Sequence, residues 1–145
     1  MIDRAQAGGQ VPDVELVQVD GQTLSLRAET GRPMLLNLWA TWCAPCVKEM
    51  ALLDDLAADY DGRVNVVTAS QDLDAADKVP RFFQTNDLPN LQPWIDPETE
   101  LSFAIGAGLP ITVLYDAQGR EVWRVLGDAD WSRADLRAAI DAVAR

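Results

Sequence analysis

The sequence predicts an α/β fold with a central mixed β-sheet and helices on both faces. First, the apolar run "GRPMLLNLW" precedes a helical pattern and a second apolar run, "RVNVVTAS". Such a strand–helix–strand unit implies parallel pairing of its strands. Second, "ITVLYDAQGREVWRVLG" predicts an antiparallel hairpin at one edge of the sheet, with Gly119 suited to a positive φ in its turn. Third, "DWSRADLRAAIDAV" predicts a closing amphipathic helix.

The N-terminal part is predicted to begin with a flexible segment and to continue as a hairpin. Residues 1–10 are small and polar. "VELVQVDGQTLSL" then alternates apolar and polar residues around Asp20 and Gly21, which is typical of two short strands joined by a turn. The strand that follows is apolar on both faces, as expected of a central strand.

Four helices are expected along the rest of the chain. The first covers residues 44 to about 60, where apolar residues recur at spacings of three and four. The next two cover residues 74 to about 85 and residues 97–105, the latter opened by Pro97. The last is predicted to start at Ser132 as N-cap, with Asp135 three residues later in a loose capping box.

Composition places the chain among soluble single domains and excludes several functions. The 145 residues fit one domain, residues 1–145, with a net charge of -11, so phosphate backbones should be repelled and no nucleic-acid partner is expected. The chain has no histidine. That excludes Ser-His and Cys-His catalysis, as well as zinc sites that use imidazole.

The two cysteines, Cys43 and Cys46, are separated by Ala44 and Pro45. A metal site would need further soft or imidazole ligands that the sequence does not offer, so no metal is expected. A structural cross-link of so small a loop would contribute only ~2 kcal/mol, against ~3 for a 15-residue loop. Unpaired core thiols and redox exchange are the other interpretations. The Cys-x-x-Cys spacing beside a strand–helix–strand unit favours redox exchange.

The predicted position of Cys43 supplies a mechanism for that exchange. Where a strand ends and a helix begins, free backbone N–H groups and the helix dipole favour thiolate over thiol. A fall in pKa from ~8.5 to ~7 would raise the thiolate fraction near neutral pH roughly fifteenfold. Cys46, three residues later, is then the shielded resolving thiol, and Pro45 stiffens the first turn.

The string "NLWATWCAPCVKEM" resembles the TlpA and ResA branch of the thioredoxin superfamily. The resemblance extends from about Val11 to the C-terminus. It covers the N-terminal hairpin and, over residues 71–105, the branch's extra segment before the substrate loop. It implies a thioredoxin-like fold and thiol-disulfide oxidoreductase activity. It also implies that Cys43 is the exposed nucleophile, that Cys46 is its partner, and that the only redox group is their disulfide, with no cofactor.

The resemblance also assigns residues around the cysteines. Pro110 occupies the position of the family's cis-proline, beside which the Leu109 backbone would contact an extended substrate. Trp42, with Ala44 and Pro45, is expected to form part of the same contact surface. Trp39 is expected in the core, and Trp94, Trp123 and Trp131 are interpreted as packing residues.

Glu49 lies three residues after Cys46, so both can face the same side of the helix. In the ResA-like branch a glutamate at this place adjusts thiol acidity, and here it could take the proton of Cys46. The alternative is a solvated helix carboxylate. Thioredoxin has a buried aspartate on the preceding strand, where this chain has Asn37, an amide that cannot accept a proton.

The function implied is the reduction of disulfides in exported proteins, with recharging by a membrane reductase or a thioredoxin-type donor. Relatives of this kind serve cytochrome c maturation or copper delivery to oxidases. The alternatives are a thiol peroxidase, which usually carries threonine where this chain has Ala40, a copper-handling protein, and a redox-regulated binding module without turnover.

The resemblance implies a monomer outside the bacterial cytoplasm, with a cytoplasmic location as the alternative. "MIDRAQAGGQ" has no apolar core of a signal peptide, and no apolar run is long enough to span a membrane. Stable membrane insertion of these residues is therefore not expected. An export signal or anchor would have to lie upstream of Met1.

Overall fold

A computed structural model describes residues 1–144, in which one mixed sheet of eight strands is flanked by four helices. The strands are β1 (Ile2–Asp3), β2 (Glu15–Val17), β3 (Thr23–Ser25), β4 (Met34–Trp39), β5 (Asn65–Ser70), β6 (Trp94–Ile95), β7 (Ile111–Tyr115) and β8 (Glu121–Leu126). The helices are α1 (Ala44–Asp59), α2 (Ala75–Thr85), α3 (Glu100–Ala104) and α4 (Ala134–Asp141). The predicted thioredoxin-like α/β architecture is confirmed.

The sheet is built around β4, which is buried along its whole length. Strand order is β1-β8-β7-β4-β5-β6-β2-β3. β4 pairs in parallel with β5, which requires the crossover through α1, and antiparallel with β7. The C-terminal ends of β4 and β5 therefore lie side by side. The loop that carries the cysteines leaves the sheet at this end.

Each face of the sheet has its own core. One contains the buried side of α1, including Cys46, Met50 and Leu53, together with residues of α4. The other lies beneath α3 and the β2–β3 hairpin, and includes Leu36, Leu38 and Leu101. Leu53 is fully buried, so Leu53→Ala would cost ~2–5 kcal/mol of stability.

Both predicted hairpins are present. β2 and β3 pair across the turn at Asp20 and Gly21, where Gly21 has φ 95°. β7 and β8 pair across a turn in which the Asp116 carboxylate accepts the N–H of Gln118, and Gly119 adopts φ 78°. Positive φ at these glycines has little steric cost because they lack a Cβ.

Residues 1–10, predicted to be a flexible segment, lie paired along the edge of the sheet. β1 pairs antiparallel with β8, and Gly8 N–H donates to the Glu121 carbonyl at 2.8 Å. The Glu121 N–H in turn donates to the Gly9 carbonyl at 2.7 Å. Without this segment β8 would be an edge strand with free backbone groups, so pairing satisfies donors and acceptors that the sequence pattern did not reveal.

Two helix starts also differ from prediction. α3 begins at Glu100, three residues after Pro97, because the Asp96 carboxylate accepts the N–H groups of Glu100 and Leu101. α4 begins at Ala134, after Arg133 as N-cap. Ser132 does not cap it, since its N–H and hydroxyl both donate to Asp130. Local turns formed by aspartate side chains outweigh the predicted caps.

Within residues 1–144, the helices are too short or too polar to cross a membrane.

Candidate active site

The two cysteines lie at the start of α1 and form a disulfide. Cys43 is the N-cap residue, with an extended backbone, and Pro45 lies in the first turn. The Cys46 N–H points at the Cys43 sulfur, 3.3 Å away. A helix N-terminus places free N–H groups and a positive dipole end beside this sulfur, and both favour a thiolate once the disulfide is reduced.

Cys43 is the more accessible of the two sulfur-bearing residues. In the disulfide form Cys43 is 6% exposed, while Cys46 is 0% exposed. The neighbouring Trp42, Ala44 and Pro45 are all exposed, Trp42 to 71%. The predicted order of shielding is therefore present, although oxidised Cys43 is itself largely covered.

The second predicted contact element is the segment before β7. The Leu109–Pro110 peptide bond is cis, as predicted. Leu109 is half-buried and packs against the cluster that contains Cys43 and Cys46. The Pro110 carbonyl accepts the Gly127 N–H at 2.9 Å. A cavity of about 350 Å³ is lined by Leu109 and Pro110 of this segment and by Leu126 of β8.

A buried aspartate fixes the loop before the cysteines. The Asp72 carboxylate is 1% exposed and accepts hydrogen bonds from the Thr41 backbone, the Thr41 hydroxyl and the Ser70 hydroxyl. Sequence reasoning did not single out Asp72. The available signal was an acidic residue two positions after a parallel strand, because the ends of such strands meet at one edge of the sheet.

Glu49 is not a solvated carboxylate. It is 2% exposed, and its oxygens accept the Asn37 side-chain amide at 3.0 Å, the Ala129 N–H at 3.0 Å and the Trp131 indole N–H at 3.1 Å. Burial raises the pKa of Glu49, and the three hydrogen bonds oppose that rise. The negative charge of Asp128 raises this pKa further.

Two of these partners donate hydrogen bonds that the sequence did not predict. Asn37 cannot itself accept the proton, but its amide donates to Glu49 and to the Thr112 hydroxyl, each at 3.0 Å. Trp131, interpreted as a packing residue, is also a hydrogen-bond donor to Glu49. Nothing in the local sequence relates Trp131 to Glu49, which lies 82 residues earlier.

A pocket of about 350 Å³ connects Glu49 with the surface. It is lined by Lys48, Glu49, Leu52, Asp128, Ala129 and Asp130. The part of the chain that the structure describes has no cluster of three or more cysteine, aspartate and glutamate side chains arranged to hold a metal ion.

The chain matches the Redoxin family over residues 6–140. It is 28% identical over 129 residues to thiol-disulfide oxidoreductase ResA of Bacillus cereus, covering 87% of this chain and 73% of that protein.

Two solved structures extend the fold comparison. The exposed lipoprotein thioredoxin Etrx1 from Streptococcus pneumoniae has a TM-score of 0.76 at 24% identity, with 90% of this chain and 99% of that chain covered. A DsbF homologue from Corynebacterium diphtheriae has a TM-score of 0.79 at 20% identity, with coverages of 98% and 91%.

Family membership and the cysteine pair at the start of α1 make this protein a thioredoxin-like enzyme of dithiol–disulfide exchange, acting on protein substrates. The chain therefore belongs to the Redoxin family and is a ResA-like member of the thioredoxin superfamily.

Proposed function

We propose that this protein reduces disulfides of exported proteins outside the bacterial cytoplasm, using Cys43 as nucleophile and Cys46 as resolving thiol. The observation that carries the proposal is the position of the Cys43 sulfur, which caps α1 and accepts the Cys46 N–H. Thiolates attack disulfides through a mixed-disulfide intermediate, and a helix N-terminus stabilises the attacking thiolate.

The reaction has two steps. The Cys43 thiolate attacks one sulfur of the substrate disulfide, forming a mixed disulfide and releasing the other substrate sulfur as a thiolate. Cys46 then loses its proton and attacks the Cys43 sulfur, which releases the second substrate thiolate and forms the Cys43–Cys46 disulfide. Two electrons pass to the substrate. A dithiol on a donor protein returns them by the reverse sequence and is itself oxidised to a disulfide.

Glu49 is proposed to accept the proton that Cys46 loses in the second step. The carboxyl group lies one turn after Cys46 on the same helix, is buried, and borders a pocket open to water. Because the pKa of Glu49 is raised, its carboxyl group gains and loses a proton closer to neutral pH than an exposed glutamate does. The proton can then leave through the pocket.

The substrate is proposed to bind across Trp42, Ala44 and Pro45 on one side and across Leu109 and Pro110 on the other. The first three residues are exposed beside Cys43, and Leu109 packs against the cluster that holds both cysteines. An extended peptide could pair with the Leu109 backbone, while Trp42 supplies an exposed aromatic surface.

The cellular setting is also a proposal. Etrx1 is described as an exposed lipoprotein, which supports a location outside the cytoplasm. The resemblance to the TlpA and ResA branch supports a role in cytochrome c or cytochrome oxidase maturation. It also supports a monomer that is recharged by a membrane reductase or a thioredoxin-type protein, with the Cys43–Cys46 disulfide as the only redox group.

Insulin reduction with dithiothreitol tests the activity. We expect turnover by the wild-type protein, none by Cys43→Ser, and a stable mixed disulfide with substrate in Cys46→Ser. An inactive wild-type protein would contradict the proposal.

Equilibration with glutathione tests the direction of electron transfer. A potential near ~-270 mV supports a reductant, whereas one near ~-120 mV would make the protein an oxidant.

A further inference from the structure

The Glu49 carboxylate is held largely by the segment between β8 and α4. One oxygen accepts both the Ala129 N–H and the Trp131 indole N–H, at 3.0 and 3.1 Å. The other accepts the Asn37 amide of β4 at 3.0 Å. All three donors are neutral groups: a side-chain amide, a backbone N–H and an indole N–H.

Contacts other than the one with Glu49 fix the orientation of the Trp131 ring. Trp131 is 0% exposed and stacks on Trp123, with ring centroids 6.5 Å apart and planes inclined by 12°. The Arg137 guanidinium donates to the Trp131 carbonyl at 2.7 Å, which also fixes the backbone. A rigid aromatic ring with one N–H donor therefore offers that donor in one direction.

The charged groups around the carboxylate are few. Lys48 of α1 and Asp128 and Asp130 of the β8–α4 segment line the pocket that reaches it. On the sheet side, Asn37 and the Thr112 hydroxyl behind it carry no charge. Towards the start of its own helix lie Cys46 and Cys43, which are joined here as a disulfide and carry no charge. The Trp131 N–H is thus one of the few contacts that favour the ionised form.

We propose that Trp131 is a positioning residue, whose indole N–H holds the Glu49 carboxylate in place and sets the pH range in which Glu49 can accept a proton. The link to Cys46 rests on the proposed function, while the link between Trp131 and Glu49 rests on their hydrogen bond. Loss of the indole N–H leaves the buried carboxylate with two donors. The protonated form is then favoured up to a higher pH.

The carboxyl titration can be measured directly by NMR on oxidised protein labelled with ¹³C in the glutamate carboxyl groups, with Glu49→Gln used for assignment. In Trp131→Phe we expect the titration midpoint of Glu49 to rise by about one pH unit. Trp123→Phe is the matched control, because phenylalanine keeps an aromatic ring for Trp131 to stack on and removes no hydrogen bond to Glu49. We expect its midpoint to equal that of the wild type.

A second measurement needs no variant at position 131. The indole ¹H and ¹⁵N signals of Trp131 in the wild-type protein should change with pH and share the Glu49 midpoint. This change should vanish in Glu49→Gln, and the Trp123 indole should not show it.

The pH dependence of insulin reduction should also move upward in Trp131→Phe.

The inference is overturned if the Glu49 midpoint is the same in Trp131→Phe and the wild type, or if Trp123→Phe shifts it equally. It is also overturned if the wild-type Trp131 indole signal stays constant while Glu49 titrates. A wild-type protein that reduces no insulin would reject the proposed function instead, because the carboxyl titration is measured without turnover.

Discussion

The Asp72 carboxylate accepts both the backbone N–H and the hydroxyl of Thr41, at 3.0 and 2.6 Å, two residues before the nucleophilic cysteine position. The end of β5 thereby fixes the loop that leaves β4. This contact joins two chain segments 31 residues apart at the edge of the sheet where the cysteines lie.

Asp72→Ala should destabilise the protein and loosen the active-site loop. The substitution leaves a part-buried N–H and two hydroxyl groups without this acceptor, and leaving such groups unsatisfied costs about 1–3 kcal/mol. Urea unfolding should show that loss, together with slower insulin reduction. Asp74→Ala is the control, because the Asp74 side chain forms an exposed pair with Lys78 at 3.7 Å and no hydrogen bond that caps α2, so its loss should change stability little. Equal effects of the two substitutions would contradict this role for Asp72.

Reduced Cys43 should react with iodoacetamide at mildly acidic pH faster than free cysteine does. The Cys46 N–H and the α1 dipole both stabilise its thiolate. Rates measured between pH 5 and 9 in the Cys46→Ser background should give a midpoint clearly below ~8.5. The background retains the N–H at position 46, so the donor is present. A midpoint equal to that of free cysteine would remove the basis of the mechanism.

Glu49 should make the stability of the protein depend on pH. Burial raises its folded pKa above the unfolded value, so the folded state binds this proton more tightly. Its contribution is therefore fully present below the unfolded value of about 4.3 and is lost as pH rises through the folded pKa. We expect the unfolding free energy of the wild type, minus that of Glu49→Gln, to fall as the pH rises above about 4. A difference that is constant with pH would show that folding does not raise the pKa of Glu49.

Tyr60 and Tyr115 should ionise at a higher pH in the folded protein than in the unfolded chain. Burial and the Asp141 carboxylate raise the pKa of Tyr60 to about 12, and burial raises that of Tyr115 strongly. Absorbance at 295 nm should therefore show little phenolate at pH 10.5 in folded protein and much more in urea. Both shifts are upward, so stability is lost as pH rises from 10 towards 12. Equal phenolate in the folded and unfolded protein at pH 10.5 would contradict this.

The sequence predicted the features that depend on local pattern. The parallel pair β4 and β5, the crossover α1 and the β7–β8 hairpin all follow from runs of apolar residues and turn signals. The Cys43–Cys46 disulfide follows from spacing and family resemblance. These features need information from only a few neighbouring residues.

Features set by distant contacts were not predicted. β1 has only two residues and forms because β8 offers a free edge. Asp72 is seen to hold Thr41 only when β5 lies beside β4. The sequence around Trp131 indicates only a core residue. That its indole N–H donates a hydrogen bond to Glu49 is seen only in the folded structure. Single-sequence reasoning has no signal for such pairings.

The cage around Glu49 spans most of the polypeptide, since two of its donors lie 80 and 82 residues after the carboxylate. A growing chain that has emerged only as far as Leu126 already contains both thiols, yet lacks those two donors. The surroundings of Glu49 are therefore completed only when the segment between β8 and α4 has been made and has folded onto α1.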